Sequence, residues 1–233
     1  MRLLRDIARK IKYRIKFFGI KKELNYSYIS NGNSNQELKK LMDFYGSDKG
    51  GKNNQHNYAQ YYSDIFYYRR KNIKNFLEIG LGTNNLDTPS NMGSEGKPLA
   101  SLRAWRDYFI HANIFGADID KRILLNEERI LTTYVDQTNP KTIQEMFSLF
   151  GVKKYDVILE DGLHEFNANI CCFENCINYL DNDGFYIIED IYYKDYSKFI
   201  NYFKNKNFNY LIVEIFHEKN ISNNNLIIIS KNE

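Results

Sequence analysis

Residues Tyr155–Ile191 read YDVILEDGLHEFNANICCFENCINYLDNDGFYIIEDI. Two short apolar runs in this stretch, Val157–Leu159 and Phe185–Ile188, each stop at paired acids, Glu160-Asp161 and Glu189-Asp190. A run of β-branched and aromatic residues that ends at acids reads as a buried parallel strand whose polar carboxyl tip opens into a cleft. The segment between the runs, Glu165–Leu180, has the length of one helix. Strand, helix and strand in that order make the two strands parallel neighbours with their tips side by side. Asp161, His164, Glu189 and Asp190 are therefore expected to meet at the carboxyl edge of the sheet, where open α/β folds bind ligands. Three carboxylates and an imidazole in one place suit a hard cation with a base beside it.

Working outward, further strands are expected at Phe76–Ile79, Ile114–Ala117 and Ile130–Val135, each closed by an acid: Glu78, Asp118 and Asp136. Glu78, Gly80 and Gly82 form an ExGxG turn. Glycines there let a backbone approach a ligand closely, although a tight turn needs the same residues. The dinucleotide fingerprint fails, because its third glycine would fall at Asn85. The loop Thr83–Pro98 is long and polar, and loops of that kind inside a domain are usually functional. Helices are expected over Leu99–Phe109, over Lys141–Phe150 behind Asn139-Pro140, and over Asp195–Lys206. Phe208–Phe216 and Asn225–Ser230 read as a closing antiparallel hairpin. A glycine turn followed by acids ending the next two strands is what a nucleoside requires: Asp118 for two ribose hydroxyls, the polar pair Asp136-Gln137 for the adenine edge.

The chain has 233 residues, 43% hydrophobic and 26% charged, which is ordinary for a soluble globular domain. A net charge of +3, concentrated at one end, argues against a nucleic-acid partner. The abundance of Tyr (19) and Phe (16) is read as coding bias rather than as substrate stacking. Cys171, Cys172 and Cys176 sit within one expected helix and form no disulfide framework, so reduced thiols and a cytoplasmic setting are expected. No apolar run reaches the roughly 18–20 residues of a membrane span.

Residues 1–22 carry nine basic side chains and one acid, with Leu4, Ile7, Ile11, Ile15 and Phe18 on one helical stripe. Residues 1–24 are expected to form a basic amphipathic helix that makes a subunit contact or lies on a membrane surface. The Asn/Ser/Gly-rich stretch 25–35 reads as a linker and residues 36–233 as one domain. Within 36–72, two helices are expected around the polar loop GSDKGGKNNQHNY, which carries Asp48, Lys49, His56 and Tyr58.

The layout resembles a class I S-adenosylmethionine-dependent methyltransferase. GSDKGGKNNQHNY, FLEIGLGT, ASLRAWRDYF, IFGADI, DQT, YDVILEDGLH and GFYIIED also follow the order found in metal-dependent sugar O-methyltransferases of the macrolide type, over roughly residues 41–192. The resemblance implies a Rossmann-like α/β fold with a seven-stranded, mostly parallel sheet, one antiparallel strand and helices on both faces. It implies Asp161, Glu189 and Asp190 as ligands of Mg2+ or Mn2+, and His164, assisted by Asp161, as catalytic base. Glu78, Gly80, Gly82, Ser101, Asp118, Asp136 and Gln137 are the implied contacts to S-adenosylmethionine. Lys49, His56 and Tyr58 are implied in a lid over cofactor or acceptor. A small-molecule acceptor is expected, either a sugar or a nucleotide-linked sugar such as a heptose for surface polysaccharide, in a homo-oligomeric enzyme. The competing readings are methylation of a catechol or other phenol, and non-catalytic binding of S-adenosylmethionine.

Overall fold

The computed structural model describes residues 25–28, 36–52, 56–220 and 222–232. The helix expected over 1–24 lies outside them. Of the stretch read as a linker, Asn25–Tyr28 forms a short strand, β1. The strands that follow are β2 (Asn75–Ile79), β3 (Asn113–Asp118), β4 (Ile130–Tyr134), β5 (Tyr155–Glu160), β6 (Leu180–Ile188), β7 (Phe208–Ile215) and β8 (Asn225–Lys231). Their order in the sheet is β1-β7-β8-β6-β5-β2-β3-β4. Strands β2 to β8 are the seven expected, and of the described strands β8 alone runs against its neighbours. The short β1 joins the edge parallel to β7.

Among the described residues, six helices cover the sheet: α1 (Glu37–Tyr45), α2 (Tyr58–Phe66), α3 (Ala100–Tyr108), α4 (Pro140–Phe150), α5 (Phe166–Cys176) and α6 (Tyr196–Phe203). The start of α4 is the one its sequence announces. The Asn139 side chain accepts from the Lys141 amide, and Pro140 fills a position that needs no donor. One face is covered by α1, α2 and α3, where Met42, Tyr62, Phe66, Trp105 and Phe109 pack on Phe76. The opposite face is covered by α4, α5 and α6, with Phe147, Cys172, Cys176, Phe199 and Phe203. Cys172 and Cys176 behave as small buried hydrophobes with sulfurs 3.8 Å apart, and all three cysteines are free. No helix among the described residues is long and apolar enough to cross a membrane.

Topology fixes where a ligand can sit. From β2 the chain steps outward to β3 and β4, then returns through α4 to β5 on the other side of β2. The strand order reverses between β2 and β5, and that reversal leaves a crevice beyond their carboxyl ends. Across it the Asp161 amide donates to the Ile79 carbonyl at 2.7 Å. Gly80, with φ of +93°, lies so close that a Cβ would stand 2.0 Å from the Asp161 carbonyl oxygen. Residue 80 has to be glycine on both counts.

Candidate active site

A cavity of about 720 Å³ opens at this reversal, lined among others by Gly80, Gly82, Asp118, Asp136, Gln137 and His164. The side-chain period of two decides which strand-tip acids reach it. Glu160 points with Ile158 toward the α5 face, where it is 0% exposed and accepts from Asn169 (2.6 Å), Gln137 (2.8 Å) and Tyr186 (2.8 Å). Burial pushes its carboxyl up to about 8, against those three donors. Asp161, one residue on, faces the cavity. The Gln137 side chain bridges the two segments, because its carbonyl also accepts from the Leu163 amide at 2.7 Å. A Cβ on Gly162 would sit 1.7 Å from that same oxygen, so a larger residue there would have to displace the Gln137 side chain.

Asp161, His164 and Asp190 converge. Among the described residues their ligand atoms form a group within 4.8 Å of one another. His164 Nδ1 lies 3.9 Å from Asp161 Oδ1, and its Nε2 lies 3.8 Å from Asp190 Oδ2. His164 and Asp190 both hold left-handed backbone, with φ of +56° and +57°. Non-glycine residues in that region cost about 1–3 kcal/mol each and cluster at functional sites. Burial raises the Asp190 carboxyl, an effect that His56 offsets and the Asp161 charge reinforces.

Glu189 is expected beside Asp190 as a ligand, but it lies outside the group that Asp161, His164 and Asp190 form. It is 0% exposed, accepts from the Tyr62 hydroxyl at 2.5 Å and is held by Lys49. Lys49 also bonds Asp161 and lies 3.6 Å from Glu78. The expected lid therefore divides. Lys49 and Tyr58 are buried behind the carboxylates, with Tyr58 donating to Asp190 at 2.6 Å, whereas His56 lines the cavity. Lys49 gets there through a tight turn after α1, capped by the Ser47 hydroxyl, which accepts from the Lys49 amide. Burial disfavours its charge, but Asp161, Glu189 and Glu78 together hold its pKa well above that of an ordinary lysine. Burial likewise would raise Asp161, yet Lys49 and His164 draw it below the usual carboxylate range. Glu189 stays well above that range, through burial and because neighbouring acids share one ammonium.

Around the nucleoside end, Asp118 caps the glycine turn: its oxygens accept from the Leu81 amide at 2.6 Å and the Asp120 amide at 2.8 Å. Asp136 lines the cavity and accepts from the amide and hydroxyl of Thr138. Glu78 and Ser101 do not line it. Glu78 is 0% exposed, and neither of its oxygens makes a hydrogen bond among the described residues. Burial pushes its carboxyl up to about 7, with Lys49 and Ser101 opposing. Asp120 is absent from the residues that the motifs single out, yet it anchors the long loop by accepting from Thr83 (2.6 Å), Asn85 (2.7 Å) and Arg122 (2.7 Å). Its place two residues after Asp118 is the available signal. Tyr62, which no motif marks, is one helical turn from Tyr58 and so on the same face.

The site fits a divalent cation. Four acids, Glu78, Asp161, Glu189 and Asp190, crowd one lysine, and the cavity-facing oxygens of Asp161 and Asp190 are hard donors. It also fits a nucleoside, with a glycine turn at the reversal and acids at the next two strand tips.

No family model matches the chain. The 8-demethyl-8-α-L-rhamnosyl tetracenomycin-C 2′-O-methyltransferase of Streptomyces olivaceus is 29% identical over 147 residues, covering 63% of this chain and 35% of that one. The mycinamicin VI 2″-O-methyltransferase of Micromonospora griseorubida is 28% identical over 163 residues, or 69% and 37% of the two chains. The chain thus spans little more than a third of the length of these curated relatives. Among solved structures, the MycE methyltransferase of the mycinamycin pathway in complex with Mg, SAH and mycinamycin VI superposes with a TM-score of 0.56 and 25% identity, over 70% of this chain and 41% of that one. A second form of that protein, with Mg and SAH, reaches 0.64 at 21% identity over 84% and 55%. The similarity is to the sugar O-methyltransferases that the motifs pointed to, and the fold is that of class I methyltransferases.

Proposed function

We propose that the chain is an S-adenosylmethionine- and Mg2+-dependent O-methyltransferase acting on a sugar hydroxyl. The observation that carries this reading is the meeting of His164 with the Asp161 and Asp190 carboxylates at the mouth of the cavity. When bound, S-adenosylmethionine supplies an electrophilic methyl group, and a divalent ion lowers the pKa of a hydroxyl beside it.

The residues divide that work between them. Gly80 and Gly82 admit the nucleoside to the backbone, and the remaining lone pairs of Asp118 receive its ribose hydroxyls. Asp136 and Gln137 border the adenine end. Asp161 and Asp190 would hold the ion, with Glu189 joining them where Lys49 releases it. His164 would take the proton of the acceptor hydroxyl and hold it until solvent removes it. A base so placed contributes about 10²–10⁴ in rate. Tyr58 and His56 fix the Asp190 carboxylate in its strained position.

The relatives named above act on sugar-bearing molecules, which favours a sugar acceptor. Nucleotide-linked sugars, heptoses included, are the finer form of the proposal. The test is turnover of such sugars with S-adenosylmethionine and Mg2+, read as methylated product by mass spectrometry, with aromatic diols alongside. Chelation should abolish product and Mg2+ or Mn2+ restore it, while calorimetric binding of the demethylated cofactor survives chelation. Turnover of diols and of no sugar, or full turnover in chelator, would overturn the reading.

A further inference from the structure

Lys49 is a buried charged group among the proposed ligands, and the chemistry above asks of it only that it release Glu189. Its ammonium bonds Asp161 Oδ2 and Glu189 Oε2 and lies 3.6 Å from Glu78 Oε1. The residue is 2% exposed, so the ammonium cannot retreat to water without rebuilding the turn that carries it. Two cations drawn to the same carboxylate oxygens repel strongly at low dielectric. An ion that takes Asp161 and Glu189 must therefore move Lys49 off them.

One destination is within reach. Glu78 is fully buried, and neither of its oxygens has a donor at full hydrogen-bond geometry: the Lys49 ammonium stands 3.6 Å off, an incomplete pairing that is costly for a buried carboxylate. A lysine head on a flexible stem with three rotatable donors can close 3.6 Å by torsion alone. We propose, building on the metal site argued above, that Lys49 is an exchangeable counter-cation. Without the divalent ion it neutralises Asp161 and Glu189; when the ion arrives it withdraws to Glu78. The exchange frees Glu189 as a ligand and completes the pairing of Glu78. It also lets the domain fold around these acids before any metal is bound.

The experiment is Mn2+ binding to the full chain, followed by the loss of free-ion paramagnetic signal, with no S-adenosylmethionine present. Lys49→Met removes the competitor and should tighten Mn2+ binding, whereas Glu78→Gln removes the destination and should weaken it, each by about tenfold, the usual scale for coupled neighbours. In the double variant Glu78→Gln should have almost no further effect, because with no lysine to receive, Glu78 stops mattering. A through-space effect of the Glu78 charge would persist there and would overturn the exchange. So would weaker binding in Lys49→Met, or unchanged affinity in Glu78→Gln. Should Lys49→Met not fold, Glu78→Gln decides alone. A wild-type chain that binds no Mn2+ fails the metal site itself; binding that ignores both substitutions fails only the exchange.

Discussion

Gly80 and Asp161 touch at the one point where the strand order reverses, with no room for a Cβ between them. Gly80→Ala must strain a left-handed residue and also push the β2 and β5 backbones away from each other, so it should cost about 3 kcal/mol or more. Urea unfolding measures this. A loss under about 1 kcal/mol would mean that the crevice yields more easily than its geometry says.

Asp120 does not line the cavity, yet it gathers Thr83, Asn85 and Arg122 beneath the loop that does. Asp120→Ala should therefore weaken binding of the demethylated cofactor by about tenfold, a loss typical of one or two bonds to a charged group. Calorimetry reads it. Asp118→Ala should cost at least as much, since it removes the cap on the glycine turn together with the proposed ribose contact.

His164→Ala should leave cofactor and metal binding nearly intact while lowering turnover by about 10²–10⁴. A variant as fast as the wild type would remove the imidazole from the chemistry and leave it as a loop residue with an unusual backbone.

Glu160 gives a pH test that is separate from catalysis. Burial holds its carboxyl at about 8, above its ordinary value of 4.5, so the folded state binds this proton more tightly than the unfolded chain does. That contribution is fully present below about 4.5 and is lost as pH rises through about 8. Glu160→Gln keeps an acceptor for Asn169 and Gln137 and offers a donor to Tyr186, without a charge to bury. In chelator, its melting temperature should exceed that of the wild type by a margin that grows from pH 5 to pH 8 (a window set by the raised value). A constant margin would mean that Glu160 titrates normally.

The sheet was legible because its evidence is local. Apolar runs ending in acids placed β2 to β6, and Asn139-Pro140 placed the start of α4. The convergence of Asp161, His164 and Asp190 followed from strand–helix–strand topology. The place of Glu189 at the tip of β6 was legible, yet what receives its carboxylate was not. Lys49 lies 140 residues from Glu189 in sequence and 112 from Asp161. No local pattern encodes such a meeting, and a lysine among glycines and asparagines reads as solvated. Asn25–Tyr28 is only four residues long and sits among Asn, Ser and Gly, which read as a linker, and its strand pairs along the edge that β7 offers.

The closing hairpin reaches further than the sheet it completes. Before β8, the Asn224 side chain donates to Asn57 Oδ1 and the Ile215 carbonyl, and its oxygen accepts from His56 Nδ1. Asn223 accepts from Tyr58 through its carbonyl, and Asn225 donates to the Ile191 carbonyl just past Asp190. Synthesis proceeds from the amino end, and early segments of a chain begin to fold before late ones emerge. Asn223–Asn225 follow β2 to β5 in the chain, so a nascent chain can build the nucleoside crevice before it has the segment that holds His56 and Tyr58 at the acceptor end.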